Sequence, residues 1–439
     1  MKSFMKLFFI KFKSPLGGVG GLFPLRGLGG FFLFFLWGLG GYAQNLDNYL
    51  QIAAENNPEV KAAYTSFEAA LQQVPQVSSL PDPTLTMSAF GRMVETRLGA
   101  QEARFSLMQM FPWFGTLEAK ATTAELMAEA KFQEYLDVRA NLNYQVKSAY
   151  AEIFQLSATI AVKEDNLEIL DSYRELALRK FEAGSAPMVN VVKIDIKREQ
   201  AITEILLLKE ELETLKTQFN LLLNRRINEE VLVADTLMVE ELFNEMKPEN
   251  NNQQNFKDHP AIEQFNRQAA AYESQQVVAR KNGLPQVGVG VDYGIISERT
   301  DANPVNNGQD VIMPMLSVSL PIFRKKYKAA QKEAELMETA VQQNRQAKIN
   351  NMKSELEMSR YKLNKSQRLI ALYDRQLESS EQANKLQISA FSNATGDFEE
   401  VLQMNQDILM LQLQKLEAVK EAFVANAKLE YFFINKNQE

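Results

Sequence analysis

Between Pro112 and Pro187 the chain has no proline, and the 68 residues from Thr116 to Ala183 are dominated by Ala, Glu, Leu, Lys and Gln. Apolar residues recur there at threes and fours, which predicts one continuous helix. At about 1.5 Å per residue that helix would be roughly 100 Å long. No compact domain holds such a rod, so the fold must be elongated. The same texture returns after Pro321, beyond which there is no further proline, and it predicts a second long helix over 322–392.

Each rod ends in a short turn. FEAGSAPMVNVV (181–192) and FSNATGDFEEVL (391–402) place small, turn-forming residues after a phenylalanine and then resume a helical pattern. The expected turns are 184–188 and 393–397, with returning helices over 188–224 and 397–435. Gly184 is expected in the left-handed region, as helix-ending glycines are. Ala394 stands at the matching position, so Asn393 is the candidate left-handed residue of the second turn. Further helices are expected over Leu46–Val74 and Pro260–Lys281, and the polar stretch 225–256 reads as an irregular connection.

Two regions alternate with period two, the mark of a strand with one apolar face. Residues 84–111 form one expected hairpin, with its turn at Leu98–Gln101, and residues 286–320 form the other, in which Val287, Val289, Val291, Tyr293 and Ile295 alternate with small or polar residues. Arms of about ten residues match a tilted membrane-crossing strand.

These landmarks recur in order. Asn57-Pro58 matches His259-Pro260 at an offset of 202, Leu80-Pro81 matches Leu284-Pro285 at 204, Phe111-Pro112 matches Leu320-Pro321 at 209, and the turns match at 210. The expected plan is a tandem duplication, 44–224 and 257–439, of helix, β-hairpin, long helix, turn and returning helix. Four strands cannot close a barrel, and open strand edges in lipid leave backbone groups unsatisfied. The strands therefore call for other copies of the chain, arranged with cyclic symmetry.

Residues 1–43 carry five basic residues and no acid, then FFLFFLWGLGG and a small-residue end, and read as a signal peptide cut after Ala43. An uncleaved anchor is the alternative, but the apolar run is short for a span. Loss of those five positive charges would take the formal net charge from −7 to −12, a balance that disfavours nucleic acid. The absence of cysteine excludes disulfides, thiolate metal sites and an acylated N-terminal cysteine. The one histidine, His259, precedes a helix-starting proline and reads as a cap or a surface residue rather than a catalyst. No phosphate loop, catalytic triad, cofactor motif or metal cluster is visible, so an enzyme is the weakest reading. Met108 with Met110, and Met313 with Met315, share strand faces. Thioethers suit Cu(I), but packing accounts for such pairs without a metal.

With these features in place the sequence resembles the TolC family of bacterial outer-membrane efflux proteins over residues 46 to about 435. The resemblance is carried by the duplicated element order, by Leu-Pro-Asp-Pro-Thr-Leu (80–85) and Phe-Pro-Trp-Phe-Gly (111–115), and by Gly184 followed by Val191-Val192, echoed by Thr395 and Val401-Leu402. Residues 94–97 through 105–112 further resemble the heavy-metal branch, the outer components of copper/silver and cobalt/zinc/cadmium exporters. The resemblance implies a mainly α protein in Gram-negative bacteria. Three subunits would supply a twelve-stranded barrel in outer-membrane lipid and a periplasmic tunnel of coiled-coil helices. It also implies docking to a periplasmic adaptor and an inner-membrane pump of the resistance-nodulation-division type.

In such a trimer the turns become periplasmic tips. Family members often carry an acid before the Val-Leu of the second tip, here Glu400, with Glu399 and Asp397 nearby; the position after Val-Leu, frequently a second acid in the family, is Gln403, and Asn190 is the first-tip equivalent. A ring of like charges at a constriction would attract cations, although acids at a helix start also simply complement its dipole. Phe181, Gly184, Ala186, Thr395 and Gly396 are the adaptor-contact candidates, on the resemblance alone. Competing functions are a general drug or type I secretion duct and, in a different class, a periplasmic structural coiled-coil protein.

Overall fold

The computed structural model describes residues 44–234, 236–237, 256–393 and 395–433. The expected signal segment and most of the 225–256 connection lie outside the described residues. The chain is mostly helical with one small sheet. In order the elements are α1 (Gln44–Asn56), α2 (Pro58–Ser78), β1 (Thr84–Thr96), β2 (Gly99–Phe111), α3 (Thr116–Glu182), α4 (Val189–Leu222), α5 (Pro260–Asn282), β3 (Gln286–Ser297), β4 (Val311–Ser319), α6 (Lys325–Ser392) and α7 (Phe398–Phe432). The two proline-free runs are single helices of 67 and 68 residues.

The expected helix over Leu46–Val74 is instead two. Pro58 lacks an N–H and starts a new helix, while Asn57 turns the chain and caps it, its Oδ1 accepting from the N–H groups of Glu59 (2.9 Å) and Val60 (3.3 Å). The same Asn57 donates through Nδ2 to the carbonyl of Leu222, at the end of α4 (3.0 Å). His259 repeats this device one half later. Its Nδ1 accepts from Ala261 N–H (3.2 Å) and its Nε2–H donates to the carbonyl of Tyr431, at the end of α7 (2.9 Å). Thus α2 continues α4, and α5 continues α7, each joint closed by one capping side chain. His259 caps as expected but is only 3% exposed, so the surface alternative is corrected. The joint needs a ring that fills space between α5 and α7, and Tyr431 stacks edge-on against it at 5.0 Å.

The helices form a four-rod layer. One half of α3 packs between α2 and α5, the other between α4 and α7, and α6 lies along α5 and α7. The apolar core concentrates at the two joints and at the tips. Tyr49, Tyr150, Phe219 and Leu223 fill the first joint, and Ile262, Leu356, Leu429 and Phe432 fill the second.

The strands make one antiparallel sheet in the order β1-β2-β3-β4, so each hairpin is joined to the other through β2 and β3. The arms of 13, 13, 12 and 9 residues are mostly longer than expected. The first turn tightens to Arg97-Leu98, with Gly99 at φ +140°. Val287, Val289, Val291 and Tyr293 are exposed on one face. On the other, Gly288 and Gly290 leave room for methionine. A Cβ on Gly288 would come within 2.5 Å of Met110 Sδ and 3.1 Å of Met108 Sδ. The strand pair Ser106–Asp292 puts a fully buried carboxylate beside Ser106 and Arg104, which hydrogen-bond and ion-pair with it. A buried charge persists only with such partners.

Candidate functional site at the hairpin tips

Both tips are built by the same local rule. At the first, Gly184 N–H reaches Phe181 O (2.8 Å) and Ser185 N–H and Oγ–H both reach Lys180 O (2.9 and 3.0 Å). This helix end requires a left-handed residue, and Gly184 supplies it at φ +69°. At the second tip, Thr395 N–H and Oγ–H reach Ala390 O (3.0 and 3.1 Å) at the same offset. Asn393 has φ −92° and ψ 12°, so the expectation of a left-handed residue there is overturned. Asn393 ends the helix through its backbone N–H, which donates to the Ser389 and Ala390 carbonyls and needs no positive φ. Residue 394 lies outside the described residues.

The tips lean on each other through a buried cluster. Leu170, Tyr173 and Ala177 of α3, Val191 and Ile194 of α4, Phe391 of α6, and Phe398, Val401 and Leu402 of α7 form one core. Phe391 and Phe398 rings lie 4.8 Å apart. Tyr173 O–H sits against Asn384, whose Nδ2 donates to it at 3.2 Å, and burial raises the Tyr173 pKa. The acidic candidates lie on the α7 start. Asp397 caps the helix, accepting from Glu399 N–H at 3.1 Å. Glu399 forms an ion pair with Lys193 of α4, which bridges the two tips. Glu400 is exposed and makes no ion pair among the described residues. Gln403 donates to Asp407 (2.9 Å), and Asn190 is half-buried at the α4 start.

Of the adaptor candidates, Phe181, Gly184 and Thr395 are exposed, while Ala186 and Gly396 are half-buried. Phe181 and Phe391 are sequence equivalents with different environments, 43% and 6% exposed. Sequence reasoning missed Lys193, Tyr173 and Phe398. The first two lie mid-helix with no motif. Phe398 was in view as part of the second turn, but only the fold shows that it points between the tips. On α3 and α4, Arg174–Asp195 (2.6 Å) and Arg198–Asp171 add further pairs behind this core.

A layer of long helices ends in paired tips at one end and in an amphipathic sheet with two open edges at the other. Among the described residues no group of His, Cys, Asp or Glu could hold a metal ion, and no helix is long and apolar enough to cross a membrane.

The model of the outer membrane efflux protein family matches residues 49–225. No curated protein sequence matches the chain. Solved structures share the fold across nearly its whole length. A structure of CusC superposes with a TM-score of 0.76 at 16% identity, covering 88% of this chain and 91% of that one. The outer-membrane channel OprN gives 0.71 at 16%, covering 88% and 89%. The outer membrane protein VceC from Vibrio cholerae gives 0.70 at 17%, covering 88% and 95%.

Proposed function

The chain belongs, through residues 49–225, to the outer membrane efflux protein family, and on that premise we propose that three copies form the passive exit duct of a tripartite efflux system. The observation that carries the reading is the sheet. Leu85 and Met87 on β1 and Ile312, Leu316 and Val318 on β4 are exposed apolar side chains on edge strands with no partner on their outer side. A four-stranded sheet with two open edges is unstable in lipid, whereas three copies joined β1 to β4 close a twelve-stranded barrel with no edge. Repetition of the same join along α4 and α6 would close the helices into a periplasmic tunnel. Energy for transport then comes from an inner-membrane pump, coupled through an adaptor that engages the tips.

In that trimer Glu400, exposed and free of an ion pair among the described residues, would ring the entrance with carboxylates, while Glu399 is held by Lys193. Like charges around a narrow mouth favour cations, which supports heavy-metal cations as the transported class. Growth of a deletion strain on graded copper, silver, zinc, cobalt and cadmium, beside dyes, detergents and antibiotics, tests the reading. Sensitivity confined to metals is expected. Sensitivity to organics alone would make this a general duct. A protein that fractionates with the soluble periplasm would overturn the conduit altogether.

A further inference from the structure

The sheet and the helices meet at two short connections that are unusually apolar for an exposed surface. The chain leaves β2 through Phe111-Pro112-Trp113-Phe114-Gly115 and leaves β4 through Leu320-Pro321-Ile322-Phe323. Phe114, Ile322 and Phe323 are 87%, 72% and 78% exposed. Immediately after Phe323 the polarity reverses. Arg324, Lys325, Lys326 and Lys328 put four cations within five residues of a chain whose net charge is −7, and all four side chains are exposed.

None of the four takes part in an ion pair among the described residues. Arg324 donates to Gly283 O (2.9 Å), and Lys326 lies 4.8 Å from the Tyr327 ring. Their placement runs against the preference of a helix start for acids. The helices α2, α3, α5 and α7 obey it with Glu59, Glu118, Glu263, and Glu399 with Glu400, whereas α6, like α4, has no acid in its first turn, and of these two only α6 opens on a run of cations. The two connections are also tied together. Lys281 Nζ donates to Phe114 O (3.0 Å), and two residues on, Gly283 packs against Tyr327 and accepts from Arg324. Aromatic rings and cations are thus collected at one level of the molecule, the level at which the strands end.

We propose that Arg324, Lys325, Lys326 and Lys328, beside the Trp113-Phe114 and Ile322-Phe323 girdle, form a docking surface for anionic phospholipid headgroups of the periplasmic leaflet. The proposal rests on the reading that the sheet crosses the outer membrane. Apolar side chains at a strand end enter the acyl boundary, which sets the adjoining cations at headgroup depth. At an anionic surface each such cation strengthens attraction by about fivefold. The charge chooses the lipid and the girdle fixes the depth.

Trp113 is a built-in probe, since the only other tryptophan, Trp37, lies in the N-terminal segment and can be replaced by Phe. The protein isolated from outer membranes of cells that express the Trp37→Phe chain is reconstituted in equimolar phosphatidylcholine and phosphatidylglycerol vesicles, with bromine on the acyl chains of one lipid or the other. Trp113 fluorescence is expected to be quenched several-fold more by brominated phosphatidylglycerol. The R324Q/K325Q/K326Q/K328Q variant is expected to be quenched equally by both, its quenching by brominated phosphatidylcholine showing that it inserted. Equal quenching of the parent protein by both lipids, or an undiminished preference in the quadruple variant, overturns the docking surface. Absence of quenching by either lipid overturns the membrane reading beneath it.

Discussion

Truncation of Phe398 to alanine should open the tips far more than loss of the ion pair that visibly bridges them. Phe398 is 1% exposed, lies against the rings of Phe391 and Tyr173, and shares one core with Val401 and Ile194. A buried Phe→Ala change costs about 3–5 kcal/mol, because a cavity replaces the packed ring. If half or more of that cost falls on the packed state of the tips, the balance shifts by at least about tenfold toward the splayed state. The Lys193–Glu399 pair joins side chains that are 48% and 58% exposed. Solvent screening limits such a pair to about 0.2–1 kcal/mol, or at most about fivefold. Single-channel recording in planar bilayers would compare the two. Phe398→Ala should dwell mainly in higher-conductance levels, and Lys193→Ala should stay close to the parent. The reasoning fails if Lys193→Ala opens the channel as much as Phe398→Ala. It fails equally if Phe398→Ala conducts like the parent, since opening would then leave the core within each protomer intact.

Glu400→Ala should raise conductance or weaken cation preference, because it removes an exposed carboxylate that makes no ion pair among the described residues; unchanged values would take Glu400 out of the gate. Gly184→Ala should destabilise the first tip by about 1–2 kcal/mol through its positive φ alone, as a Cβ there meets open space. Faster amide hydrogen exchange at 180–190, with channel size unchanged, is the expected readout. His259 gives a pH prediction. Its capping bond requires the neutral ring, because Nδ1 accepts from Ala261 N–H, whereas the Nε2–H bond to Tyr431 forms in either state; burial lowers its pKa, assisted by Lys348 and Lys428 and opposed by the Tyr431 bond and Asp137. The unfolded chain therefore takes up the proton first. Stability is full above the unfolded value of about 6.5 and falls below it, by up to about 1.4 kcal/mol per pH unit. His259→Asn keeps a cap and should flatten that part of the pH dependence in thermal melts; an unaltered slope between pH 8 and pH 5 would refute it.

The elements with strong local signals were legible. A long run without proline is a rod because nothing in it can stop a helix, and the strict alternation from Val287 to Ile295 is a strand because only period two puts those residues on one face. The match of Asn57-Pro58 with His259-Pro260 was visible as well, but not what it does. Both side chains cap one helix while bonding the end of another, and the partners Leu222 and Tyr431 lie 165 and 172 residues away. Distance in sequence also hid the tip core, since Tyr173 and Phe398 meet only when two hairpins lie side by side. The acids on α7 were legible as a group, but their division into Asp397 as cap, Glu399 as tether and Glu400 as exposed charge depends on the position of Lys193.

That division shows why two copies of one turn need not do one job. The tips share a backbone solution, with Ser185 and Thr395 returning to carbonyls five residues back. They differ in what they present. The first has a left-handed glycine, an exposed Phe181 and no acid in the first turn of α4. The second buries its equivalent phenylalanine, Phe391, and carries the acids. A ring built from three protomers would alternate an apolar tip, suited to gripping another protein, with an acidic tip suited to meeting a cation. Exchange of the two segments 181–192 and 391–402 tests this separation. The swapped chain should keep its helical hairpins but lose either adaptor-dependent resistance or cation preference, according to which position each role requires. Retention of both would mean that the tips are interchangeable and that their differences carry no function.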